Sequence, residues 1–215
     1  LVLHPQNVAL QEVFVIAGNY RLQGSSKWKE MSPVSIATTA GAVGDIYNGI
    51  ALLPGVQAAG ESGKLMVRGG DSREAQTFID EMHVLSPYTY TPENSAARGR
   101  YSPFLFEGIN FSSGGFSSDY SQSLSSVLPL TTKDESPVTK IGVSLLSVGM
   151  GGGGTKAWAN SSLSFNGDYQ NIGPYNKLFP DSYDWINPYQ RISGESQFRK
   201  TLANKGIWKT YLAYD

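Results

Sequence analysis

The last third of the sequence constrains the fold most. In the stretch QRISGESQFRKTL, Ile192, Gly194, Ser196, Phe198 and Leu202 fall on one side, while Arg191, Ser193, Glu195, Gln197 and Arg199 fall on the other. In IWKTYLAYD, Trp208, Thr210, Leu212 and Tyr214 make a semi-apolar face that ends in aromatics. A period of two sends successive side chains to opposite faces of a strand. Residues 138–215 therefore read as consecutive long antiparallel strands, with GVSLLSVGM and TKAWANSSLSFNGDY as two more and GGGG (151–154) as the turn between them. Strands of this length with terminal aromatics suit a membrane barrel wall, and they equally suit an ordinary sheet with one wet face.

Composition narrows the function classes. Charged residues make up 16% of the chain, below the roughly 25% usual in soluble domains, and 24 glycines help fill the gap. The net charge of -1 gives no electrostatic pull toward nucleic acid. With no cysteine, disulfides and thiolate zinc sites are excluded. The two histidines, His4 and His83, lie too far apart in sequence to suggest a metal cluster, and no cofactor motif appears. No run of 18 apolar residues predicts a membrane-spanning helix. The opening LVLHPQNVAL has no basic region or cleavage site, so any signal peptide is expected to have been removed or to lie outside it.

Ahead of the alternating tail the chain is mixed. Val13, Phe14, Val15 and Ile16 form a β-prone segment with no evident partner nearby. A helix is expected from Thr38, because Val43, Ile46, Tyr47, Ile50 and Leu53 share one face before Pro54-Gly55. Leu65-Met66-Val67 reads as a short strand. A second strand reads from Gln76 to Met82, with Phe78, Asp80 and Met82 facing one way and Thr77, Ile79 and Glu81 the other. A long polar loop runs from Leu85 to Tyr101. Ser102-Pro103 looks like the N-cap and first turn of a helix over PFLFEGI. Strands follow near residues 109–111 and at 127–130, where Pro129 points to a sheet edge or a bulge.

Candidate catalytic arrangements fail one by one. GESGK has a lysine in a glycine-spaced loop, but a phosphate-binding loop needs glycine five residues before Gly63, where Ala58 stands, and a hydroxyl after Lys64, where Leu65 stands. Asp80 and Glu81 are neighbours on the expected strand, so their carboxylates would point apart. The serines of GESGK and GFSSD lack a nucleophile-elbow pattern. Lys27-Trp28-Lys29 reads as a solvated linker rather than a nucleic-acid contact. The chain is not expected to be an enzyme.

The order ALQEVFVIAG, SPVSIATTAGAVGDIYNGIALLPGVQ, LMVRGG, TFIDEM, GGFSSDYSQSLSSVLPLTTK resembles the plug of TonB-dependent outer-membrane receptors. It is similar in particular to the subset with a carboxypeptidase-regulatory-like N-terminal extension, of which LVLHPQ would be the last strand. The resemblance covers residues 10–133, and 138–215 resemble that family's first barrel strands. It implies an α+β plug followed by antiparallel strands of an incomplete transmembrane β-barrel, in three parts: 1–31 an N-terminal segment, 32–136 the plug, 137–215 the first wall strands. The implied function is nutrient import across the outer membrane of a Gram-negative cell, driven through TonB. The implied partners are the TonB C-terminal domain, the rest of the barrel, and a small-molecule or oligomeric nutrient, with a surface lipoprotein beside it in some members.

By the same resemblance Glu12, Val13, Phe14, Val15, Ile16 and Ala17 match the TonB box, a strand donated to TonB. Arg68 matches an arginine that locks plug to barrel through glutamates beyond residue 215. Gln57, Glu61, Ser62 and Lys64 on one loop, and Tyr88, Tyr90, Arg98 and Tyr101 on another, match substrate-facing positions. Asp80-Glu81 stands where the family usually has Asp-Gly, which weakens a tight turn there. Membrane strands take about 9–11 residues, so about four fit after residue 137, far short of the 22 of plugged transporters. The chain is then expected to be a fragment whose open edges pair with something. From residue patterns alone, a secreted or surface β-rich module that binds carbohydrate or protein remains the other reading.

Overall fold

The computed structural model describes residues 21–22, 28–42, 44–90, 98–120, 122–133, 138–146, 148–180, 185–204 and 206–215. Two sheets dominate. The first is mixed and six-stranded. It is built from β1 (Arg21–Leu22), β2 (Trp28–Met31), β5 (Ala75–Ile79), β6 (Met82–Val84), β7 (Phe106–Ser112) and β8 (Ser126–Thr132), in the order β1-β2-β7-β8-β5-β6. Only β5 and β8 run parallel; the other neighbours are antiparallel. Two short helices, α1 (Pro33–Thr38) and α2 (Ile46–Ala51), and a separate hairpin of β3 (Val56–Ala59) and β4 (Lys64–Val67) accompany it. Ile36, Ile46, Ile50, Val67, Phe106, Ile109 and Leu130 form its dry core.

The helix expected from Thr38 is two helices with a turn between them. Ser32 caps α1, its Oγ accepting from Ser35 N–H at 3.1 Å, with Pro33 in the first turn. Gly41 and Gly44 then take φ of +88° and +68°, a left-handed course that ends helical continuation. Asp45 restarts it as the N-cap of α2. The apolar periodicity at Ile46, Tyr47 and Ile50 was real, but it belongs to a helix of six residues.

The helix expected over PFLFEGI is absent. Pro103–Leu105 make a single 3-10 turn, and the chain enters β7 at Phe106. Phe106 and Ile109 are both buried and three apart, which looks helical in sequence. A bulge between Phe106 and Gly108 shifts the register and brings both to one face. Trp28 and Lys29, expected in a solvated linker, pair with Ser112 and Phe111 as part of β2. Pro129 is neither at an edge nor at the bulge: β8 lies between β7 and β5, with Pro129 in register with Phe78.

The strand expected through Met82 stops at Ile79. Asp80 and Glu81 have φ of +45° and +70° and form a two-residue turn that pairs Ile79 with Met82. Both central residues of such a turn need positive φ, a requirement Gly and Asn meet most cheaply. Asp80 offsets its strain by accepting from Thr132 N–H at 2.9 Å and from the Thr132 hydroxyl. The tight turn forms without glycine.

The second sheet is an antiparallel meander: β9 (Lys140–Leu146), β10 (Gly149–Ala157), β11 (Ser161–Asn171), β12 (Gln190–Thr201) and β13 (Ile207–Tyr214), in the order β13-β12-β11-β10-β9. A third helix, α3 (Gly173–Leu178), lies between β11 and β12. The sheet has five strands where four were expected, because the glycine run is not a turn. Gly152 pairs with Val143 on one side and Gly167 on the other, in the middle of β10. Glycine has no side chain to show alternation, so the pattern vanished there. The bareness also has a steric reason: a Cβ on Gly153 would stand 2.8 Å from Asn166 Oδ1.

The turn at Asp80-Glu81 gives a direct test. Glu81 carries left-handed strain without the side-chain bonds that hold Asp80, so Glu81→Gly should stabilise the chain by about 0.5–1 kcal/mol. Thermal unfolding in detergent reads this, and a lower midpoint for the variant would contradict the assignment.

Candidate functional site, the plug and wall seam

The two faces of the second sheet are opposite in polarity. One carries Ile141, Val143, Leu145, Phe165, Ile192, Trp208 and Leu212, all exposed, with Ile141 at 81%. The other carries Thr155, Ser164, Ser193, Glu195, Gln197 and Arg199, all buried. The strand register places each set on a single face. This inverts the arrangement of a water-soluble sheet: polar groups are covered and apolar groups are bare.

Part of what covers the polar face is the first sheet and its loops. Glu195 accepts from the backbone N–H of Ser102 and from the Tyr211 hydroxyl, both at 2.7 Å. Arg199, 2% exposed, donates to the Lys133 carbonyl at 2.6 Å and to Ser164 Oγ at 2.7 Å. Lys209 donates to the Thr132 carbonyl at 3.1 Å and stands 3.8 Å from Asp80. Tyr211 adds apolar contact, its ring 6.0 Å from that of Tyr101 and 6.1 Å from that of Phe106. Farther along, Arg100 lies 3.7 Å from Asp215, which also pairs with Arg191. A cavity of about 210 Å³ remains between the layers, lined by Asp45, Arg98, Arg100, Ser102, Asp168, Arg191 and Glu195 among others.

The residues expected to contact substrate divide by position. Gln57 and Lys64 are exposed on β3 and β4, and Glu61 and Ser62 form the 3-10 turn between them. These four share one hairpin tip. Tyr90 is exposed, and its carbonyl accepts from the Tyr189 hydroxyl at 3.3 Å. Arg98 is half-buried at the base of the same loop. Tyr88 is mostly inside: its oxygen accepts from Leu65 N–H at 3.0 Å, and burial pushes its phenol up to about 12. Tyr101 is a core residue at 7% exposure, its phenol also raised by burial. Both stay protonated at neutral pH.

Arg68 sits in the turn after β4 with φ of +53°, exposed, its N–H donating to the Gly55 carbonyl at 2.8 Å. Among the described residues it has no ion-pair partner. Its expected glutamate partners lie beyond residue 215; among the described residues the charged contacts across the seam run through Arg199, Lys209, Arg100 and Glu195, which sequence reasoning did not single out. A signal was present: charges at one parity of a strand whose other parity is apolar must meet something polar. Residues 12–17 and His4 lie outside the described residues. His83 bonds Gln76 and packs against Phe78. No group of three acidic or histidine side chains among the described residues could hold a metal ion.

Solved structures share this arrangement. The copper transporter OprC matches with a TM-score of 0.60 and 12% identity, over 89% of this chain and 30% of its own. The siderophore receptor PirA from Pseudomonas aeruginosa matches at 0.55 and 13%, over 89% and 35%. The ferric-catecholate import receptor Fiu from E. coli K12 matches at 0.55 and 16%, over 83% and 25%. The chain spans about a third or less of the length of these receptors. No protein-family model matches the sequence, and no curated protein matches it. At such identities the likeness is one of fold: an α+β plug joined to antiparallel strands of an unclosed transmembrane barrel. That is the fold shared with these two receptors and the copper transporter.

The seam predicts its own weak point. Glu195→Ala leaves Ser102 N–H and the Tyr211 hydroxyl without their acceptor, costing about 2–4 kcal/mol. Limited proteolysis in detergent should then cut within residues 98–133 faster than in the parent chain. Equal cleavage rates would mean that Glu195 does not hold the layers together.

Proposed function

We propose that this chain is the plug and opening wall of a TonB-dependent outer-membrane transporter, which binds a nutrient at the cell surface and passes it to the periplasm. The observation that carries this reading is the inverted polarity of the second sheet. An apolar face as broad as five strands is costly in water, and lipid covers it without further protein. The remaining barrel strands would continue from the free edges of β9 and β13. The alternative of a water-soluble binding module would need another partner for the same face.

In this reading residues 1–31 carry the TonB box at 12–17 and lend β1 and β2 to the plug sheet, 32–136 form the plug body, and 137–215 begin the barrel. The long connection containing α3 meets the Tyr90 loop through Tyr189. Long barrel loops face the cell exterior and short turns the periplasm, so the hairpin tip at Gln57, Glu61, Ser62 and Lys64, with Tyr90 and Arg98, faces outward toward ligand. The similar structures include receptors for ferric enterobactin and ferric catecholates and a copper transporter. We infer a small metal chelate or a comparable scarce nutrient as cargo, carried by transport rather than catalysis. A surface lipoprotein partner, which the sequence resemblance implies, is part of the same proposal.

Two experiments test it. Phe165→Arg puts a charge on the bare face and should disfavour insertion by about 2–4 kcal/mol near the bilayer midplane. The folded fraction in lipid vesicles measures this, and undiminished insertion would remove the membrane assignment. Deleting residues 12–17 from the full-length receptor should abolish energised uptake while leaving surface binding of cargo intact; continued uptake would show that the TonB box lies elsewhere.

A further inference from the structure

The loop from Pro87 to Arg100 is anchored at its base as a ribbon. Thr89 N–H donates to the Arg98 carbonyl at 2.8 Å and Arg100 N–H to the Pro87 carbonyl at 3.0 Å, with Tyr88 bridged to Gly99. Two side chains tie this base to the rest of the plug. Asp45, buried at the start of α2, accepts from Tyr47 and Asn48 N–H through one oxygen and from Gly99 N–H at 2.7 Å through the other. Tyr88 reaches the other way, to Leu65 N–H on β4. Its ring lies 4.6 Å from that of Tyr47, whose hydroxyl bonds Thr77 on β5 at 2.9 Å.

The packing leaves little slack. A Cβ on Gly99 would stand 2.6 Å from Tyr47 Cδ2, so the ribbon backbone lies directly on that ring. Leu65 faces Ala58 across the β3–β4 hairpin, and the Tyr88 phenol satisfies its outward N–H. The hairpin and the ribbon, 23 residues apart at this bond, thus share a hydrogen bond that joins the residue pair next to the hairpin tip to the base of the ribbon.

We propose that Tyr88 is a positioning residue that yokes the two apical loops, so that Ser62 and Lys64 on one and Tyr90 and Arg98 on the other present a single rigid surface to cargo. This rests on the reading of these loops as the ligand-facing side. A ligand that touches both then meets a preformed surface and does not have to order two independent loops.

The chain contains no cysteine, so a spin-label pair introduced as Ser62→Cys and Tyr90→Cys in the full chain in detergent reports the loops alone. Tyr88→Phe keeps the ring and removes only the acceptor; it should broaden the inter-label distance distribution about twofold. Tyr47→Phe removes the bond to Thr77 and spares the yoke, so it should leave the width unchanged. An unchanged width in Tyr88→Phe, or equal broadening in both variants, would overturn the proposal. If Tyr88→Phe does not fold, hydrogen exchange of the unsubstituted chain decides: the Leu65 and Gly99 amides should exchange within about threefold of each other, and a difference above about tenfold would overturn the yoke. Neither measurement needs cargo or TonB, so failure here leaves the transport reading standing, and loss of the transport reading leaves this coupling measurable.

Discussion

A sheet that turns its polar side chains inward and its apolar side chains outward needs a polar body on the inside. Everything else in this molecule depends on that inversion. Arg199 and Glu195 are buried, and a buried charge is tolerable only where hydrogen-bond partners meet it. The Lys133 carbonyl and the Ser102 N–H, both from the plug, are among those partners. The plug obeys the opposite rule, with Ile46, Val67, Phe106 and Ile109 packed into a dry centre. One chain therefore follows two burial rules, and the seam is where they meet.

The seam is held differently from either core. Apart from the ring cluster of Tyr101, Phe106 and Tyr211, its named contacts are hydrogen bonds and ion pairs. Such contacts are satisfied in place, yet water can replace them when the layers part, whereas separated apolar surfaces gain nothing from water in return. A polar seam thus permits a plug to be held firmly and still be displaced. The glycine strand β10 lets neighbours close in on the same side, since a Cβ on Gly151 would stand 2.8 Å from Ser144 Oγ and one on Gly153 2.8 Å from Asn166 Oδ1.

Legibility followed the strength of local pattern. Strands β12 and β13 carried enough alternation for their faces to be assigned residue by residue, and the structure keeps those faces. Strand β10 was invisible because Gly151 to Gly154 have no side chains to alternate. Ser102-Pro103 misled for the opposite reason: the pair has the signature of a helix start, but it opens a single 3-10 turn and the chain enters β7 at Phe106. The turn at Asp80-Glu81 lacked its usual glycine, and Thr132, 52 residues away, supplies the bonds that help hold it.

The candidate site divides along the same line. Short-range pattern and family resemblance picked out the hairpin tip and the Tyr90 loop, where Gln57, Ser62, Lys64 and Tyr90 are exposed. They did not reveal that Tyr88 and Tyr101 are committed to packing, because exposure is a property of what lies above a residue, not of the residue. By itself the sequence determined the two strand faces of the wall, the turn-rich plug and the absence of thiol chemistry, since each follows from local periodicity or composition. Tertiary structure alone decided that the polar face is the covered one, which charges cross the seam, and that Tyr88 bonds Leu65. Those are long-range pairings, and no local period records which distant residue will supply a partner.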